Sequence, residues 1–141
     1  MAERILKKKL EDSGRHDIDV SSASIIDMEG MPGDPVAVKI LEEEGYDGDN
    51  HQSRVATENM LLDVDRIIVM ESWHVEEIIA RCGQDPVREK VFLLKPYMEG
   101  CDHADDVTGY DIADPYRLSQ YHYRLCFAEI YLSIEGLLGC L

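Results

Sequence analysis

The chain has 141 residues, 45% of them hydrophobic, which is enough for one domain with a core of its own. Its 29 Asp and Glu against 14 Lys and Arg leave a net charge of -15, a field that repels nucleic-acid phosphates and anionic lipid, so neither is an expected partner. No apolar run approaches the length of a membrane span and the opening Met1-Ala2-Glu3-Arg4 has no apolar signal region, so the expected location is the cytoplasm.

Residues 1–11 predict a helix with Ala2, Ile5, Leu6 and Leu10 on one side, opening without a cap in front of it. After Ser13-Gly14, residues 17–23 alternate Ile18, Val20 and Ser22 in the manner of a strand. Residues 30–33 form a loop that runs into a well-marked helix start, with Asp34 as N-cap, Pro35 at the first helical position, Ala37, Ile40 and Leu41 inward, and Gly45 as the stop. Residues 47–54 are polar and turn-rich, and Thr57 caps a short helix through Leu62.

The apolar run of residues 66–70 reads as a buried strand, and Ser72 as the cap of a helix carrying Val75, Ile78, Ile79 and Cys82 at helical spacing, closed by Gly83. Residues 91–94 are a second fully apolar strand, followed by an acidic loop over residues 97–110. Residues 119–138 close the chain as a helix with Tyr123, Cys126, Phe127, Ile130, Ile134, Leu137 and Leu138 inward. Apolar strands separated by helices predict an α/β fold, a parallel sheet covered on both faces, in one domain over residues 1–141.

Four cysteines show neither a disulfide framework nor a Cys-x-x-Cys metal spacing, which fits a reducing compartment. Cys101-Asp102-His103 is the only local cluster, and acidic ligands with one thiol define no preferred ion, so neither metal nor cofactor is expected. The segment with chemistry to offer is Tyr110-Asp111-Ile112-Ala113-Asp114-Pro115-Tyr116. Proline fixes the backbone after Asp114 and lets its carboxyl be aimed as a general acid, while Tyr116 can wall a pocket; the same residues also spell an ordinary turn before a helix.

Read together, Val20-Ser21-Ser22-Ala23, Gly30-Met31-Pro32, Gly45-Tyr46-Asp47, His51-Gln52-Ser53-Arg54, Ile67-Ile68-Val69-Met70, residues 90–94 and the Asp-Ile-Ala-Asp-Pro-Tyr run stand in the order seen in low-molecular-weight protein tyrosine phosphatases. The chain resembles the bacterial branch that includes protein arginine phosphatases. The resemblance implies a three-layer, doubly wound parallel sheet and phosphocysteine chemistry, with Asp114 as the acid, Tyr116 as the ring beside the substrate, Ser22 as support for the phosphate loop and His51 in a structural role. A phosphorylated protein or small phosphate ester is the implied partner.

The resemblance also marks a departure. In the family a first strand and a Cys-x5-Arg-Ser/Thr loop come before the Met-Ala-Glu that opens this chain, and neither is in this sequence. Cys82 and Arg88 have the right separation, but a helix is predicted before them and a strand after, the reverse of what a phosphate cradle needs, and Asp85 and Pro86 lie between. A fold lacking its first strand is therefore expected, with marginal stability and no phosphatase activity as written. Three readings follow: a phosphatase whose start falls at an internal methionine, an inactive relative acting as an interaction module with possible self-association through the incomplete sheet, and ion binding by Glu99, Asp102, Asp105, Asp106 and Asp111.

Overall fold

A computed structural model describes residues 1–48, 51–100 and 109–141. Among these described residues six helices and two strands follow in chain order: α1 (Ala2–Asp12), α2 (Pro35–Glu43), α3 (Glu58–Asp63), β1 (Ile67–Val69), α4 (Ser72–Cys82), α5 (Gln84–Val87), β2 (Val91–Leu93) and α6 (Gln120–Leu138), with a 3-10 turn at Lys95–Glu99.

β1 and β2 pair in parallel, Ile67 opposite Val91 and Val69 opposite Leu93. Strand side chains alternate between faces, and both faces are covered. Ile67, Val69 and Leu93 pack with Leu61 of α3, Ile78 and Cys82 of α4 and Val87 of α5. On the opposite face Ile68 and Phe92 lie against a larger cluster of Ile5 of α1, Leu41 of α2, Leu94, Tyr97, Ile112 and the inner residues of α6. The three expected layers are present, each strand buried on both sides as its unbroken apolar run requires.

Local signals set most boundaries. The Asp34 carboxylate accepts the N–H groups of Val36 and Ala37 at 2.9 and 3.2 Å, and Gly45 takes φ 82° where α2 ends. The Thr57 hydroxyl accepts the Met60 N–H at 3.3 Å. α4 is started differently from the expectation at Ser72. Glu71 is its N-cap and Ser72 is already helical; Nδ1 of His74 accepts the Glu71 N–H at 3.2 Å, because a side chain three residues into a helix can reach back to the cap.

The expected strand over residues 17–23 is corrected. That segment is not a strand, and its neighbourhood holds only an isolated bridge between Ser24 and Val55, in which the Ser24 N–H donates to the Arg54 carbonyl at 2.8 Å. The alternating pattern favours extended backbone, but a strand is held by the ladder beside it, and among the described residues no strand lies next to residues 17–23.

The expectation of unpaired cysteines is corrected as well. Cys82 and Cys126 are free and buried, while Cys140 is disulfide-bonded. Among the described residues no helix is long and apolar enough to cross a membrane.

α6 fixes the larger cluster by approaching backbone directly. A Cβ placed on Gly136 would stand 1.7 Å from the Tyr97 carbonyl oxygen, so only glycine lets the helix lie on the 3-10 turn. Gly136→Ala is expected to destabilise the protein by about 3 kcal/mol or more, an overpacking penalty against backbone that has no rotamer to yield. Thermal and urea unfolding measure this, and a melting temperature equal to that of the parent would contradict the packing described.

Candidate active site

The segment carrying Asp114 is fastened at three points. The Asp111 carboxylate accepts the Ser72 N–H at 2.7 Å and the Ser72 hydroxyl at 3.1 Å, so it sits on the positive end of α4. The Ile112 N–H donates to the Met70 carbonyl at 2.8 Å and its side chain is buried, which extends the pairing just past β1. Lys95 donates to the Asp111 carbonyl at 3.3 Å and forms an ion pair with Glu129 of α6 at 2.7 Å. The sequence offered Asp111 as a candidate ion ligand and did not single out Lys95; the anchoring role of each depends on partners 39 and 34 positions away.

Beyond those anchors the segment faces solvent. Asp114 is exposed, one of its oxygens accepting the Tyr116 N–H at 3.0 Å in a turn. Tyr116 is 57% exposed and carries the Arg117 guanidinium 5.2 Å from its ring centre. The sequence left open whether Asp-Pro-Tyr is an aimed acid or a turn, and the Tyr116 N–H to Asp114 bond gives the segment a turn with an exposed carboxylate.

Arg117 has φ 64°, the left-handed region that costs a residue with a Cβ about 1 kcal/mol or more. Replacing it by glycine is expected to raise stability by about 0.5–1 kcal/mol, the loss of its contact with Tyr116 offsetting part of the relief. Chemical denaturation checks this; a loss of stability on Arg117→Gly would mean that the guanidinium contact outweighs the strain.

Ser22 and His51 lie elsewhere. They line a shallow cleft of about 430 Å³ together with Glu3, Arg4, Lys7, Ser21, Gln52 and Arg54, which neither Asp114 nor Tyr116 lines. The exposed Ser22 hydroxyl donates to the Glu3 carboxylate, which also takes Lys7 at 2.6 Å, and Arg54 donates to the Ser22 carbonyl at 3.0 Å. Burial raises the Glu3 pKa, yet the hydrogen bonds from Lys7 and Ser22 outweigh it and hold the carboxyl below its ordinary value. On a chain of charge -15 this wall, with Arg4, Lys7 and Arg54, is locally basic. Of the expected site residues, the structure thus brings Ser22 and His51 together and keeps Asp114 and Tyr116 as a separate pair.

Neither free thiol is a nucleophile. Burial, followed by the charges of Glu129 and Asp114, pushes Cys126 up to about 11, so almost none of it is thiolate at neutral pH. Burial also raises Cys82, and the Cys82 to Arg88 segment runs from the end of α4 through α5, with no strand in front and no cradle formed. Among the described residues no three His, Cys, Asp or Glu side chains gather as a metal would require; Cys101-Asp102-His103, Asp105 and Asp106 lie outside the described residues.

His74, beside the anchor, is titratable. Burial lowers its pKa below 6.5, with Glu71, Asp111 and Asp114 acting in the opposite sense. The unfolded chain therefore binds this proton at a pH where the folded protein does not, and His74 contributes stability that is present above about pH 6.5 and lost as pH falls towards the folded value. His74→Gln is expected to flatten that slope between about pH 6.5 and 5. Equal pH dependence of unfolding in both proteins would show that His74 stays accessible to protons.

A parallel sheet covered on both faces, with the loop of Asp114 beyond the end of β1, defines an α/β protein, a class whose open sheets bind ligands at the strand ends. The family model for low molecular weight phosphotyrosine protein phosphatases matches residues 1–141. The chain belongs to that family. It is 30% identical over 118 residues to the probable low molecular weight protein-tyrosine-phosphatase EpsP of Ralstonia nicotianae, covering 83% of this chain and 69% of that protein. It is 27% identical over 128 residues to a protein-arginine-phosphatase of Geobacillus stearothermophilus, covering 91% and 80%. Among solved structures, the low molecular weight protein tyrosine phosphatase of T. tengcongensis superposes with a TM-score of 0.85 at 26% identity, covering 99% of this chain and 88% of that one.

Proposed function

We propose that this chain carries the acid side of a phosphocysteine phosphatase acting on phosphorylated protein. Asp114 is the leaving-group acid, Tyr116 the ring against the substrate, and Ser22 the support for a phosphate-binding loop. In this chemistry a thiolate attacks phosphorus while a carboxylic acid protonates the departing oxygen, and a carboxylate then activates water against the phosphocysteine. The observation that supports the reading is the fastening of Asp111 to Ser72 and of Ile112 to Met70 past the end of β1, with the exposed Asp114 two residues further on. The relatives include both tyrosine and arginine phosphatases, and either phosphoryl group suits a pocket walled by Tyr116.

The 141 residues hold no Cys-x5-Arg-Ser/Thr loop after a strand, and Cys82 and Cys126 are buried and protonated. The polypeptide as written is therefore proposed to be inactive by itself. Its alternative use is as an interaction module. Ile67 and Val69 spend their backbone groups on β2, so the opposite edge of β1, carried by Ile68, has no strand beside it among the described residues and is open to strand addition, including from a second copy.

The purified chain is expected not to hydrolyse p-nitrophenyl phosphate. Fusing an apolar strand and a Cys-x5-Arg-Ser loop ahead of Met1 should confer turnover, and Asp114→Ala in that fusion should lower kcat by about 10²–10⁴-fold. Hydrolysis by the unfused chain, with contaminating hydrolases removed, or a fusion indifferent to Asp114→Ala, would overturn the assignment.

A further inference from the structure

The peptide group joining Met70 to Glu71 leads from β1 into α4, and both of its polar atoms are engaged. Its carbonyl accepts the Ile112 N–H at 2.8 Å, and its N–H donates to Nδ1 of His74 at 3.2 Å. The N–H and carbonyl of a trans peptide point in opposite directions from one rigid plane, so an acceptor that fixes the N–H also aims the carbonyl. The Glu71 N–H lies ahead of the first helical turn, where no backbone carbonyl of the helix can accept it. The next peptide group offers the Ser72 N–H to the Asp111 carboxylate at 2.7 Å. Two successive peptide groups thus hold two successive residues of the loop, and the imidazole of His74 stands behind the first of them.

We infer that His74 is a positioning residue for the loop of Asp114: its neutral imidazole holds the peptide group between Met70 and Glu71, and through that group the Ile112 N–H, two residues before the acid. Hydrogen bonds that share one peptide group polarise each other, so the bond to His74 strengthens the bond to Ile112 as well as aiming it. This role rests on Asp114 being the acid proposed above, whereas the grip on Ile112 stands without it.

The grip depends on protonation. Because Nδ1 accepts, the neutral ring carries its hydrogen on Nε2, and a further proton can go only to Nδ1, where it meets the Glu71 N–H head on and ends the bond. The ring is half-buried, with the Trp73 ring 4.0 Å away centre to centre. Burial lowers its pKa, against the raising effect of Glu71, Asp111 and Asp114, the charged groups that face it among the described residues. The imidazolium is drawn to those carboxylates, and Asp111 is the one that Ser72 holds, so the charged ring competes with the clamp on the loop. The grip is therefore present while His74 is neutral, above about pH 6.5, and is lost as pH falls through the lower folded value.

Amide hydrogen exchange of the 141-residue chain, followed residue by residue by NMR, reads this grip without substrate or nucleophile. The quantity is the protection of Ile112 relative to that of Leu94, whose N–H donates to the Val69 carbonyl at 2.8 Å, so that a change in global stability cancels. At about pH 7.5, where the ring is neutral, His74→Ala should lower that ratio about three- to tenfold, the range one hydrogen bond sustains. His74→Gln should retain it, since the glutamine amide oxygen can accept the Glu71 N–H. On lowering the pH to about 4.5 the ratio in the parent should fall in step with the imidazole signals of His74, and in His74→Gln it should not. A ratio unchanged by His74→Ala, one that stays level while the parent's imidazole titrates, or one that falls equally in His74→Gln would each overturn the proposal. Turnover of the Asp114→Ala fusion tests the acid separately, so either result can fail without the other.

Discussion

The close approach of α6 to the backbone at Tyr97 is the constraint on which the remaining arrangement depends. Because Gly136 has no side chain, the helix descends onto the 3-10 turn, and Ile130, Ile134 and Leu137 reach Ile5 and Leu94 in one continuous cluster. That cluster seals one face of a sheet that has two paired strands among the described residues, a sheet too small to be stable without helices on it. The same descent fixes the rotation of α6 about its axis. With Cys126 and Ile130 inward, Glu129 comes beside Lys95, and Lys95 in turn holds the Asp111 carbonyl. A packing contact at one end of the helix is thus linked, through one ion pair, to the loop that carries Asp114.

Charge and burial then divide the polar groups by role. The Asp111 carboxylate faces the positive end of α4, which makes it an anchor, while Asp114, three residues on, is turned to solvent with one oxygen uncommitted among the described contacts. The thiols have the opposite fate. Cys126 lies in the larger cluster where a thiolate would be poorly solvated and would face Glu129 and Asp114, so the environment that helps hold the acid loop suppresses thiol chemistry in the same neighbourhood.

Much of this was legible in the sequence because its signals are local. Asp34-Pro35, Thr57, Gly45 and the inward rows of α2, α4 and α6 each act within a few residues, and the structure keeps them. Residues 17–23 show the limit of that logic: alternation states which side chains could share a face, whereas a strand exists only when a neighbour accepts its hydrogen bonds. The cap of α4 failed for a smaller reason. Ser72 is the stronger capping residue by type, but its hydroxyl is drawn to Asp111 from across the site, and the helix starts one residue earlier. Asp114 and Tyr116 stood out through their proline, while the residues that hold them, Asp111 and Lys95, could not be recognised without the fold.

The two groups of candidate residues rest on different parts of the structure. Ser22 is held by a side-chain contact to α1 and by Arg54 near the bridge at Ser24, and His51 stands beside a second bridge between Pro32 and Gln52; the side-chain contacts of Ser22 are exposed and each worth only about 1 kcal/mol or less. The acid loop rests on a buried isoleucine, backbone pairing to Met70 and a charged cap on α4, all tied to the larger cluster. Thermal motion that loosens residues 17–23 need not disturb Asp114, because no described contact of the acid loop passes through that segment. The loop of Asp114 is therefore tied to the core at Asp111 and Ile112, whereas the described contacts of Ser22 lie at the surface.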